Sequence, residues 1–342
     1  MQAAIIREYN QPLVINEIAA PALASDEVLL KVAACGVCHS DLHLAQGDWP
    51  HLFKIIKPEL ILGHEVVGVI AAVGDDVKEF ALGERVGVAW IHWACGACEL
   101  CLEGLENLCP RQQITGLTVD GGYAELMRAK ASHVVRVPDE LTDAEAAPLF
   151  CAGVTVHRAL KMADIKPGQR AAVSGVGGLG HLAVQLLVAH YGAEVFAVDI
   201  DDDKLALARE LGAARVFNAA KENMAREIRQ LGGVHVAVVT ATAKAAYDDA
   251  LAYLRPSGTI VVVGLPAEPL TFLGSALSSR EARLVASSVG TRADMRETLA
   301  LAAQGKMRCR VETRPLNQAN EALNDLKRGA VTGRLVLTCE PR

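Results

Sequence analysis

The sequence predicts an α/β chain of two domains, a compact β-rich one followed by a doubly wound parallel sheet of six strands. Three observations carry this expectation. At 342 residues the chain exceeds what one hydrophobic core usually organises. Its first 150 residues run in short alternating segments rich in Val and Gly. From Gln169 onward, short apolar strands alternate with amphipathic helices, the pattern of crossover units on a parallel sheet.

In chain order, segments 27–32 and 66–73 read as strands, punctuated by Gly74, Gly83 and Gly87. Segment 171–175 is a short apolar strand, and the next stretch places Leu179, Leu182, Ala183, Leu186 and Leu187 on one helical face. Strand 194–199 comes next. Helices at 201–211, 221–231 and 244–254 interleave with strands at 215–218, 234–240, 259–264 and 283–289. Beyond Asp294 come two helical stretches and a final strand, 334–338. The expected division is 1–152, with 288–342 returning to it, and 153–287.

Composition narrows the function. Apolar residues at 51% and charged residues at 22% describe a globular chain and exclude a disordered one. A net charge of −6 gives no footing for nucleic acid or an anionic membrane. No apolar run approaches the roughly 20 residues of a membrane span, and Met1 to Asn10 carries no secretory pattern, so a cytoplasmic protein is expected. In that setting nine cysteines read as metal ligands or free thiols.

Four of them, Cys95, Cys98, Cys101 and Cys109, have the spacing CxxCxxCx7C that one tetrahedral ion demands. A disulfide knot in so short a stretch would need strained pairings. Four protein thiolates leave no coordination position for substrate, so this lobe is expected to hold a structural zinc.

Gly175-Val176-Gly177-Gly178-Leu179-Gly180 is GxGxxG directly after a strand and opening an apolar-faced helix, the context in which it cradles a pyrophosphate at a helix N-terminus. Asp199 ends the next strand, where a carboxylate accepts hydrogen bonds from the adenosine ribose and repels a 2′-phosphate. Asp201, Asp202 and Asp203 add to that field, so NAD is favoured over NADP.

The stretches GVCHSDLH, GHEVVGVI, CGACELCLEGLENLC, LFCAGVTVHRAL and GVGGLG, in this order over essentially the whole chain, resemble the zinc-containing medium-chain alcohol dehydrogenases. The CHSDLH and GDWP details are most similar to the compact tetrameric bacterial and yeast type. The resemblance implies a GroES-like catalytic domain, a Rossmann NAD-binding domain, two zinc ions per chain and a homotetramer. It makes Cys38, His64 and Cys151 the catalytic zinc ligands, with Asp41 orienting the His64 ring and Glu65 behind the metal. A zinc with three protein ligands keeps a position for an alcohol and lowers the pKa of a bound hydroxyl.

Further roles come from the same resemblance. Ser40, the cofactor ribose and His43 resemble a proton relay to solvent. His39 and Arg334 match positions that meet the pyrophosphate, Lys204 a ribose contact, and Trp49 and Trp90 positions that narrow the substrate pocket. The expected function is reversible, NAD-linked interconversion of a small alcohol and its aldehyde or ketone. Rival readings are a cinnamyl-type alcohol dehydrogenase, which Asp199 opposes by disfavouring NADP, and a non-catalytic NAD-binding relative, which would lose Cys38, His64 and the cysteine lobe. A polyol dehydrogenase would replace Cys151 by a carboxylate. The sequence departs from the pattern at Cys35, read as a bystander thiol, and at Glu84, read as structural; Cys309 and Cys339 have no partner spacing.

Overall fold

The computed structural model of the chain describes residues 1–221, 223–266 and 268–339. Glu222 of the expected helix 221–231, and residues 340–342 of the expected return, lie outside the described residues. By internal contact the chain divides into Met1–Cys151 with Thr291–Ala303 and the residues from Cys309 on, and a second unit, Ala152–Gly290 with Gln304–Arg308.

The first unit is organised on the strand Glu27–Val37, whose alternation buries Val28, Leu30, Val32 and Ala34 on the core side. It pairs antiparallel with Val66–Val73, Leu126–Lys130 and Arg334–Thr338 within a seven-stranded sheet. Arg334–Thr338, the last strand, lies between Glu27–Val37 and Val311–Pro315. A smaller sheet joins Val14–Glu17, Gln2–Ile6 and Leu60–Ile61. Ile70, Val86, Leu335 and Leu337 share the core with these strands, each such side chain contributing about 1.5–3 kcal/mol by leaving water. Two junctions of this sheet bring polar residues to its edge. Glu27–Val37 runs into Cys38, which begins the helix His39–Gln46, and His64-Glu65 lead directly into Val66–Val73.

The second unit is a six-stranded, wholly parallel sheet in the order Arg215–Asn218, Glu194–Asp199, Arg170–Ser174, Val234–Val239, Leu254–Val262, Arg283–Ala286. Counted along the chain that is 3-2-1-4-5-6, the doubly wound order expected from the sequence, with its reversal beside Arg170–Ser174. Phe196, Phe217, Tyr247 and Tyr253 fill its core, and Tyr253 Oη is satisfied 2.7 Å from Ser174 Oγ.

Several expectations shift at their edges. The helix expected at 221–231 is Met224–Gln230, capped by Asn223, whose side chain accepts from the Arg226 N–H. The helix expected to reach 254 ends at Tyr253, because the next strand already begins at Leu254, upstream of Pro256 and Gly258. The strand expected over 283–289 stops at Ala286. The helix Ala152–Ala163 did not emerge from the sequence at all. Nine of its residues are buried, and the polar Thr155 and His157 are among them, so its outward side is narrow, marked by Arg158 and Lys161. Among the described residues no helix is long and apolar enough to cross a membrane.

Candidate active site

Cys38, His64 and Cys151 come from a strand end, a loop before a strand and the residue closing the 3-10 turn Ala147–Phe150. Their ligand atoms and a carboxylate oxygen of Glu65 all lie within 4.8 Å of one another. Cys38 and Cys151 are 8% exposed, and His64 and Glu65 are fully buried. The polar atoms around them divide into satisfied and unsatisfied ones. His64 Nδ1–H donates to Asp41 Oδ1 at 3.1 Å, whereas Nε2 is buried with no hydrogen-bond partner. A buried imidazole nitrogen without a partner is costly unless something binds it. Two thiol sulfurs stand beside it, and together they form a donor set of the kind that holds zinc, so these residues fit the metal.

Asp41 is the hub of this arrangement. Its carboxylate also accepts from the N–H of Cys38 at 2.9 Å, the N–H of Gly63 at 3.2 Å and the hydroxyl of Tyr123 at 3.2 Å. An acceptor-only partner on Nδ1 fixes the tautomer that leaves Nε2 as the lone-pair nitrogen. Burial alone would push His64 down, but the Asp41 charge and hydrogen bond, with Cys38, hold it well above its ordinary value, so this environment favours positive charge at Nε2, which a bound metal cation would supply in place of a proton. Cys38 is held well below the ordinary thiol range, chiefly by its hydrogen bond with Cys151, with His64 adding to the effect against burial.

Glu65 uses one oxygen on the guanidinium of Arg334, and its Oε2 is buried without a partner. Burial pushes Glu65 up to about 7 against the pull of Arg334. Gly36 is what admits this carboxylate, because a Cβ there would stand 1.8 Å from Oε2. Arg334 is buried, its Nη2 is committed to Glu65, and its Nε has no hydrogen-bond partner.

The helix His39–Gln46 carries the remaining candidates. His39 is exposed and opens it; Ser40 and His43 are three apart and so share a face. The ring of Trp49 lies 5.3 Å from that of His43, and Trp90 meets the His64 ring edge-on at 4.8 Å. Each tryptophan thus touches a different site residue. Cys35 is a buried free thiol, pushed well above its ordinary value by burial, and belongs to neither ligand group. Glu84 caps its own turn through the Ala81 N–H and pairs with Arg136.

In the lobe, Cys95 and Cys101 sulfurs lie 3.9 Å apart, as do those of Cys98 and Cys109. A tetrahedron with metal–sulfur bonds of 2.3 Å has edges of about 3.8 Å, and a disulfide would bring sulfurs to about 2 Å. All four thiols are free. They fit one ion. The Cys98 N–H also points to Cys95 Sγ at 3.4 Å, and backbone N–H groups, that of Ala97 foremost, draw the Cys95 thiol down to about 6. Two contacts anchor the lobe: His133 Nε2 accepts from the Ala94 N–H at 3.0 Å, and Glu106 takes the N–H and the guanidinium of Arg292.

In the second unit the glycine loop lies between Arg170–Ser174 and the helix Gly180–Ala189, with Leu179 immediately before the helix. A Cβ on Gly180 would overlap Gly175 O at 1.8 Å, so the helix can approach the strand only with glycine there; a Cβ on Gly177 would meet nothing within 4 Å, leaving that backbone open. Asp199 Oδ2 accepts from the Val176 N–H at 2.6 Å, and Oδ1 from the N–H groups of Ile200 and Asp201. The carboxylate therefore lies directly on the loop. Lys204 stands on the following helix, 3.9 Å from Asp201.

Sequence reading missed Gly36 and Tyr123, which support the site without touching its ligand atoms in the chain, and Asp48, whose side chain meets His43. The GDWP stretch was a signal for the last; nothing in one sequence flags the first two.

Residues 24–139 match the alcohol dehydrogenase GroES-like domain family and residues 178–304 the zinc-binding dehydrogenase family. The chain is 47% identical to an alcohol dehydrogenase of Geobacillus stearothermophilus over 98% of its own length and 99% of that enzyme. Among solved structures, the alcohol dehydrogenase of the archaeon Aeropyrum pernix superposes with a TM-score of 0.91 at 37% identity, covering 99% of this chain and 100% of that one. The acetophenone reductase of Geotrichum candidum, solved with NAD, gives 0.89 at 32%, covering 98% and 96%.

Proposed function

Because the chain belongs to the zinc-containing medium-chain alcohol dehydrogenase family, we propose that its convergent Cys38, His64 and Cys151 are the ligands of a catalytic zinc, and its four-cysteine lobe those of a structural one. The activity is that of a zinc- and NAD-dependent alcohol dehydrogenase, interconverting an alcohol with its aldehyde or ketone. The observation that carries the catalytic assignment is the orphaned, buried His64 Nε2 beside two thiol sulfurs. Zinc held there supplies Lewis acidity that makes an alcohol hydroxyl easier to deprotonate, and NAD supplies the hydride acceptor.

The chain's residues do the rest. Asp41 fixes His64 and, through its bond to the Cys38 N–H, the start of the helix that carries Ser40 and His43. Ser40 takes the hydroxyl proton and His43 passes it to solvent. Gly175, Gly177, Gly178, Leu179 and Gly180 present backbone to the pyrophosphate, with His39 and Arg334 offsetting its charge. Asp199 and Lys204 hold the adenosine ribose, and Asp199 selects NAD over NADP. Trp49 and Trp90 narrow the pocket, which favours short primary alcohols over branched ones by about 1–3 kcal/mol per methyl group. Met1–Cys151 with Thr291–Ala303 and the residues from Cys309 on act as the catalytic domain, and Ala152–Gly290 with Gln304–Arg308 as the cofactor domain, a few residues from the expected bounds 152/153 and 287/288 and with 304–308 changing sides; similarity to the compact type supports a cytoplasmic homotetramer.

The deciding experiment is zinc content together with NAD-linked turnover over a panel of primary, secondary and aromatic alcohols. Two zinc ions per chain and a preference for small primary alcohols are expected. One zinc per chain, or equal use of NADP, would overturn the corresponding assignment.

A further inference from the structure

The helix His39–Gln46 ends at Gly47 in the left-handed conformation, φ 73°. The N–H groups of Gly47 and Asp48 turn back to the carbonyls of Leu44 and His43, at 3.2 and 3.0 Å. This two-bond closure folds Asp48 onto the turn that carries His43. It needs glycine, since a Cβ at 47 would combine a positive φ with a 3.1 Å approach to the Tyr9 ring. The side chains then meet. Asp48 Oδ2 lies 2.8 Å from His43 Nδ1, Trp49 packs beside the same ring, and the other imidazole nearby, His39, is 6.5 Å away centre to centre. An ionised carboxylate only accepts hydrogen bonds, so Nδ1 of neutral His43 carries the hydrogen and Nε2 is the lone-pair nitrogen.

We propose that Asp48 is a positioning residue for proton transfer, holding neutral His43 in the tautomer whose Nε2 receives the proton. This rests on the reading of His43 as the last protein group of the relay. The proton from the alcohol hydroxyl, passed on through Ser40, forms a new N–H bond at Nε2 while Nδ1–H stays on Asp48. The imidazolium then releases the Nε2 proton to water and the starting tautomer returns. No electrons are exchanged in this step. With side chains 30% and 46% exposed, the pair contributes little to stability, so its effect is geometric.

Asp48→Asn keeps the shape but replaces one acceptor oxygen by an N–H₂ group, and with that group turned to Nδ1 it donates there and places the hydrogen on Nε2. The test compares single-turnover NADH formation near neutral pH for wild type, Asp48→Asn, His43→Gln and the double variant. It adds the ¹⁵N–¹H ring spectrum of His43, identified among the ten histidines by its loss in His43→Gln. Asp48→Asn is expected to slow turnover about tenfold, to leave the double variant no slower than His43→Gln, and to move the His43 hydrogen from Nδ1 to Nε2. Beside a slow His43→Gln, a wild-type rate for Asp48→Asn with the hydrogen moved, a slow rate with it unmoved, or multiplying effects in the double variant overturns the proposal alone. A wild-type rate for His43→Gln overturns the relay reading itself.

Discussion

In the lobe, four sulfurs are gathered from Cys95 to Cys109, a span of 15 residues, by two short helical turns and the backbone N–H groups around them. In the other centre, Cys38, His64 and Cys151 span 114 residues, and each is placed by a different element of the seven-stranded sheet or its connections. Cys95, Cys98 and Cys101 are partly exposed; Cys38, His64 and Cys151 are buried. The lobe gathers four like thiols, whereas the buried centre gathers unlike donors backed by Asp41, Tyr123, Glu65 and Arg334. A closed, local cluster stabilises the chain around it. An open, long-range cluster draws on the fold's stability to hold unlike donors and unsatisfied atoms in place, which is the condition for chemistry.

The contrast breaks most directly at one ligand from each centre. Cys38→Ser should take turnover to background while thermal unfolding stays near wild type, and Cys98→Ser should cost a few kcal/mol and lower Tm by roughly 10 °C. Zinc content should fall by one ion in each. An active Cys38→Ser enzyme, or equal melting losses in both, would erase the distinction.

Acid should reach the lobe's flank through two neutral histidines. His92 and His133 are both pushed down to about 4, mainly by burial, from an ordinary 6.5. Since the unfolded chain takes up these protons first as pH falls below 6.5, stability is present above that pH and is lost down to about 4, by roughly 3 kcal/mol for each group. Urea unfolding across this window should show a shallower slope for His133→Leu than for wild type, and identical slopes would show that His133 charges as readily folded as unfolded.

Within the buried centre the effects should grade with distance from the ligand atoms. Asp41→Asn, which removes an acceptor-only partner from His64, should weaken zinc binding about 10–100-fold in chelator competition, without a matching change in the lobe's affinity. Tyr123→Phe, one bond further out, should cost about 1 kcal/mol of the same binding, or roughly fivefold. If the two variants weaken the lobe equally, the supports are global ones.

The same contrast explains what the sequence made legible. Ligands packed into 15 residues announce themselves by spacing, and so do the glycines between Arg170–Ser174 and the following helix, because both constraints are local. Cys38, His64 and Cys151 carried a meaning only as members of recurring stretches, and it is the fold that brings their atoms together. The lobe's own anchors were invisible, since Glu106 finds Arg292 across 186 residues and His133 finds Ala94 across 39. Tyr123 and Gly36 read as any core tyrosine and any strand glycine until the Asp41 and Glu65 carboxylates are placed against them. The helix Ala152–Ala163 escaped for another reason, since polar Thr155 and His157 lie among its buried residues and blur its apolar stripe.

Arg334 opens the final strand, and its guanidinium is the ionic partner of a carboxylate buried among the zinc-site residues. During synthesis from the N-terminus, every ligand of that centre leaves the ribosome at least 183 residues before Arg334 does, 151 against 334. Until then Glu65 lacks its guanidinium partner, and the edge of Glu27–Val37 that Arg334–Thr338 occupies is unpaired. A chain stopped between residues 292 and 334 would thus carry the cysteine lobe with its Arg292 anchor, beside a buried Glu65 carboxylate that lacks its guanidinium.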